Sequence, residues 1–140
     1  MTRRALGRGK LLVVCGAIAA LAGLVLPWWV VARTGVAALS GNGFQGAGII
    51  VFLAALALLA VVTMPFASRD GESALDRPAV YAVVAIAAIG AFLFRVYEIS
   101  QFGGLGLPTE SLGLWITGAG LLLIAWGVGD ILTDRSPQNR

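Results

Sequence analysis

Side chains that move protons, hold metals or attack substrates are scarce in this chain. It has seven Asp and Glu, no His and a single Cys. Cys15 lies inside an apolar run, where it can form neither an intrachain disulfide nor a Cys-x-x-Cys redox pair, and it reads as a small packing residue. The spacing offers no nucleophile–base pair and no set of metal ligands. The expectation is therefore a protein that is not an enzyme, with no cofactor and no metal. Three charges fall within otherwise apolar segments, where charge is costly and often functional: Arg95, Glu98 and Asp130. Arg95 and Glu98 stand three residues apart, share a helix face and can pair, which makes them the candidate polar site. Two readings of the pair are open. In one, Arg95 snorkels to headgroups while Glu98 is already in water. In the other, the pair turns inward beneath the 102–107 loop, where it fixes that loop or receives a polar ligand. Asp130, with Arg135 close by, reads as a boundary residue.

The elements that position these charges follow from composition. The chain is 59% hydrophobic and 12% charged, against roughly one-quarter charged in soluble domains, and 140 residues leave room for one domain. A net charge of +3 would in a soluble protein suggest nucleic acid. Here the basic residues flank apolar runs, so the expected partner is the lipid bilayer and no nucleic acid. Uncharged or nearly uncharged runs occupy about 11–32, 46–66, 78–97 and 112–132. Each is about 20 residues, and at about 1.5 Å per residue that covers a hydrocarbon core of about 30 Å. Lipid offers no water to the backbone, so each run must pair its own N–H and C=O groups as a helix. The fold expected is all-α: a four-helix transmembrane bundle with short loops, as one domain over 1–140 with tails 1–10 and 133–140.

Orientation comes from the basic residues. With the amino terminus inside, Arg3, Arg4, Arg8, Lys10, Arg69, Arg77, Arg135 and Arg140 are cytoplasmic and only Arg33 and Arg95 are outside. The positive-inside bias then places both termini in the cytoplasm of a cell-membrane protein. The 68–77 turn is short, polar and inside, with Pro78 at a first helical turn that tolerates it. The outer loops, 34–45 and 99–111, carry Val36, Leu39, Phe44, Phe102, Leu105 and Leu107, and fold back on helix ends or sit at the lipid interface. Residues 29–33 and 36–39, around Thr34-Gly35, can form a small hairpin. A removed signal sequence is the other reading of the amino terminus, but its apolar run is too long and ends in two tryptophans.

Within lipid, helices associate where small residues let backbones approach. Glycines recur at heptad spacing in the first run, at Gly9, Gly16 and Gly23, and in the fourth, at Gly113, Gly120 and Gly127. Seven residues is nearly two turns, so each set marks one packing face. Trp28 and Trp29 close the first run, and Trp115 lies near the same level. Indoles sit well at headgroup depth, body in lipid and N–H toward water, so these three are expected to be interfacial anchors. An aromatic platform for an external ligand is the alternative. Trp126 is expected to face lipid or core.

Leu-Pro-Trp-Trp at 26–29, Gly-Asn-Gly-Phe-Gln-Gly at 41–46, Arg95 near a Gly/Pro-rich outer loop and the charged tail together resemble small four-span membrane proteins of the high-GC actinobacterial type. The resemblance covers the whole chain in layout and implies a multi-pass membrane protein, with no catalytic residues to carry over. Other four-span families fail on their motifs. The first run lacks the embedded Glu of small multidrug transporters, one Cys cannot supply the pair of vitamin K epoxide reductase-like enzymes, the outer loop lacks the cysteines of claudins, and an intramembrane Ser–His protease has no base here. The expected role is structural or accessory, binding another membrane protein, a second copy of itself or lipid. The alternative is a small transporter or channel component that uses Arg95 and Glu98 as an entry site.

Overall fold

The structure, a computed structural model, describes residues 7–31, 34–35, 37–67, 77–101 and 110–134. Four helices form a bundle: α1 (Arg8–Val25), α2 (Gly48–Ala67), α3 (Pro78–Gln101) and α4 (Leu112–Asp134). All four are long and apolar enough to cross a membrane. A two-stranded antiparallel hairpin, β1 (Pro27–Val31) and β2 (Leu39–Asn42), lies between α1 and α2. Around the ring α1 packs on α2, α2 on α3, α3 on α4, and α4 back on α1. The core is aliphatic and small, with Val13, Ala17, Leu58, Ala85 and Ile124 among its buried members, and Tyr81 as its largest residue on α3.

The closest contact is between the first helix and the last, and it runs through the six heptad glycines. They meet in antiparallel order. A Cβ on Gly16 would stand 2.5 Å from the Gly120 carbonyl oxygen, and one on Gly120 would stand 2.6 Å from the Gly16 carbonyl. Gly9 and Gly127 oppose each other in the same reciprocal way, at 2.7 and 2.6 Å. A Cβ on Gly113 would lie 2.5 Å from the Gly23 carbonyl. The atoms in the way belong to backbone, which cannot rotate aside, so the two helices touch main chain to main chain. Such proximity suits Cα–H contacts to carbonyl oxygen and dispersion, the forces left when lipid removes the hydrophobic drive between helices. Thr117, fully buried, closes the seam beside Gly23, with its hydroxyl directed at the Ala20 carbonyl at a long 3.5 Å.

The first helix stops sooner than its uncharged run. The 11–32 segment is not one span: α1 ends at Val25 and Pro27 begins a strand. Pro27 disfavours helical backbone in the residue before it, and Leu26 is accordingly extended, φ −79° and ψ 160°. Length and hydropathy do not register this stop, because Trp, Val and Val suit a strand and a lipid helix alike. The hairpin also differs from the one expected. Its strands are displaced toward both helices, Val30 pairs with Ser40 and Val31 with Leu39, and Val36 and Arg33 lie outside the described residues.

At its other end α3 runs on to Gln101, a turn past the expected 97. Exposed hydroxyls along the helices turn back on their own turns. Thr63 donates to the Leu59 carbonyl at 2.9 Å, Ser100 to Tyr97 at 2.7 Å and Thr133 to Gly129 at 3.0 Å. Each donor is thereby satisfied without water. Cys15, expected in packing, is instead exposed on the outward side of α1. The 1–6, 68–76, 102–109 and 135–140 segments, which hold Arg3, Arg4, Arg69, Phe102, Leu105, Leu107, Arg135 and Arg140, lie outside the described residues.

Candidate functional site

Polar chemistry concentrates at the hairpin end of the bundle, and it begins with how α1 terminates. The last four carbonyls of a helix have no intrahelical partner. For Gly23 the usual donor is four residues on, at Pro27, which has no N–H. The Trp28 indole supplies one instead, donating from Nε1 to the Gly23 carbonyl at 3.0 Å. Leu24 is capped in turn by the backbone N–H of Gly43 at 2.9 Å. Two orphan carbonyls are thus satisfied by the hairpin and its following turn.

Trp28 reaches inward because β1 is bulged there: Pro27 pairs with Asn42 and Trp29 with Gly41, leaving Trp28 as the extra residue. The expectation for Trp28 is therefore corrected. It is not an interfacial anchor but a fully buried core residue, edge-on to Phe92 with centroids 5.6 Å apart. The need of a buried carbonyl for a donor outweighs the indole's preference for the interface. Trp29 is half-buried, its ring lying over Gly41, where no side chain could fit. Trp115 is exposed on α4, as is Trp126.

Gly43 must be glycine, since a Cβ would stand 2.5 Å from Leu24 Cδ2 and 2.6 Å from the Trp28 ring. Asn42 shapes the turn that follows by accepting the Phe44 N–H at 3.2 Å, and Phe44 then packs edge-on against Phe52 of α2. This turn carries Gly46, at φ +61°, onto the last turns of α3, where the two charges lie.

Arg95 and Glu98 do pair, Nη1 to Oε2 at 2.9 Å, with the arginine side chain 15% exposed and the glutamate 35%. A Cβ on Gly46 would stand 3.0 Å from Arg95 Nη1 and 3.3 Å from its Cζ, so the guanidinium lies flat against the turn. Arg95 Nε is buried and has no hydrogen-bond partner among the described residues. The pair is thus partly withdrawn beneath the 43–47 turn of the first connection. The 102–107 loop, under which the inward reading placed it, lies outside the described residues. A guanidinium with a donor in hand beside a carboxylate one-third exposed can hold a polar or zwitterionic group.

Comparison with protein families, with curated proteins and with solved structures finds no match to this chain.

At the opposite end Asp130 meets Arg8 Nε at 3.7 Å, with side chains 31% and 79% exposed, and so links the ends of α4 and α1. Arg135, its expected neighbour, lies outside the described residues. Three contributors to the hairpin-end site escape a reading by residue type: Trp28, Gly43 and Gly46. Their signal is a proline that removes the N–H a helix-end carbonyl needs, followed by closely spaced glycines.

Proposed function

We propose that the chain is a multi-pass protein of the cell membrane, both termini cytoplasmic, with a structural or accessory role: it binds another membrane protein, a second copy of itself or lipid. The supporting observation is an almost wholly apolar buried core among the described residues, beneath an apolar exterior. Among the described residues the fully buried side chains with polar groups outside the aromatics are Ser111 and Thr117, both in the hairpin half. The α1–α4 seam leaves no width for a solute. The outward faces carry Ile18, Leu53, Ile86, Leu122 and Trp126, all exposed, a surface that lipid covers at no cost and water does not.

Two measurements test this reading. Tags at either terminus are reachable only after the membrane is opened, while a tag replacing Asn42 is reachable in intact cells. A terminal tag labelled from outside overturns the topology. Purified protein in sealed liposomes leaves proton, potassium and chloride leak at the protein-free rate. A leak that depends on Arg95 or Glu98 replaces the packing role with a small channel or transporter component, in which that pair forms the entry.

A further inference from the structure

Asn42 ends β2 and Gly43 opens the turn that follows, and residues of these two types in this order can react with each other. Glycine carries no Cβ to hinder approach of its main-chain nitrogen to the asparagine side-chain carbon. The nitrogen gives up its proton, bonds to Cγ and expels the side-chain nitrogen as ammonia, which closes a five-membered succinimide. Water then opens the ring at one carbonyl or the other and leaves aspartate or isoaspartate. We propose that Asn42 is a latent site of this deamidation, held unreactive by the same hydrogen bond that caps α1.

The electrophile is ready. Asn42 is exposed, and its Oδ1 already accepts the Phe44 N–H at 3.2 Å, a donor aimed at the oxygen on which negative charge gathers as the nitrogen adds. The nucleophile is not. Gly43 is buried, and its N–H donates to the Leu24 carbonyl at 2.9 Å. To react, it must give up that proton and leave a helix-end carbonyl without its donor. Leu24 Cδ2 and the Trp28 ring lie against Gly43, and a Cβ on Gly48 would run into the Gly43 carbonyl oxygen, so the residue is clamped between the end of α1 and the start of α2. Asn42 is fixed in turn by its pairing with Pro27. Attack therefore waits on a local opening of the hairpin end. The product does not close again in the same way. Isoaspartate carries the main chain through the former side chain, adding one carbon between the residue that pairs with Pro27 and the N–H that caps Leu24.

The test follows deamidation of the full chain by peptide mapping and mass, folded in mild detergent and unfolded in dodecyl sulfate with urea, at one mildly alkaline pH and one temperature. Asn42→Gln, whose ring would be six-membered, marks the background. The expected result is conversion at Asn42 slower by about tenfold or more in the folded chain, as for a reaction limited by local opening, together with slow exchange of the Gly43 amide. Leu24→Ala keeps the accepting carbonyl but removes the side chain that lies against Gly43, and should raise the folded rate toward the unfolded one. Equal rates in the folded and unfolded wild-type chain overturn the proposal, and so does a Gly43 amide that exchanges as fast as an exposed one. Because this comparison needs no variant, it decides the matter even if Leu24→Ala does not fold. A folded Leu24→Ala in which Gly43 exchanges faster while Asn42 reacts no faster also overturns it.

Discussion

The α1–α4 seam and the hairpin end of the bundle achieve close packing by opposite means. The seam works by having no side chains: Gly9, Gly16, Gly23, Gly113, Gly120 and Gly127 bring carbonyl oxygens against the facing main chain. The hairpin end works by supplying groups the backbone lacks. Trp28 and Gly43 donate to the last carbonyls of α1, and Arg95 lies on the Gly46 turn while paired with Glu98. A helix interior in lipid is already satisfied, so only space is needed there. A helix end is not satisfied, so it needs donors. Additions should therefore damage the seam, and deletions the hairpin end.

Gly120→Leu tests the first half and carries the largest expected effect. Overpacking typically costs about 1–3 kcal/mol, and here the obstructing atoms are backbone, so a loss of about 3 kcal/mol or more is expected. Leu122→Ala, two residues on at a side chain 73% exposed, should change little. Equal melting temperatures in detergent for the two variants would remove the seam from any account of stability.

Trp28→Phe keeps most of the ring and removes the indole N–H. Stranding the Gly23 carbonyl should cost about 1–3 kcal/mol, read as a lower melting temperature together with faster amide exchange confined to the last turn of α1. Uniform exchange along α1 would mean that the lost ring volume, not the missing donor, is responsible.

Glu98→Gln leaves Arg95 largely buried with a weaker acceptor. Since the glutamate is one-third exposed, the loss should fall below that of a fully buried pair, at about 1–2 kcal/mol. The double change Arg95→Leu, Glu98→Leu should recover part of it, and a double-mutant cycle without coupling would show that the pair contributes no stability. Arg8→Ala has the smallest expected effect, under about 0.5 kcal/mol, because an exposed pair at 3.7 Å is screened by water. A larger loss would mean that the termini end, too, is held by charge.

The sequence made the helices legible because apolar runs of membrane length have few alternatives, and the heptad glycines were legible as faces. That the two faces oppose each other, Gly16 to Gly120, was not, since either could have met another helix. The end of α1 was hidden by its own composition: residues 27–31 add apolar length that a window count assigns to the helix, and only Pro27 marks the change. Trp28 was misplaced because residue type records a preference for the interface, whereas a bulge and a carbonyl without its donor decide where the ring goes. Arg95 and Glu98 could be paired from their spacing. Their cover could not be foreseen, because it depends on where the Gly-rich turn after β2 folds.

The seam also sets the order in which the chain can be completed during synthesis. Helix α1 leaves the ribosome before α4, yet among the described residues its glycine face is met by α4, with Gly23 and Gly113 far apart in sequence. At about 5–20 residues per second that interval is roughly 5–20 s, during which α1 sits in the bilayer with its backbone shielded only by acyl chains. A ribosome stalled before α4 leaves a nascent protein whose narrowest face is open to any other small-residue helix, or to the proteases that survey unassembled spans. Arrival of α4 then acts as the maturation step, closing the glycine face of α1.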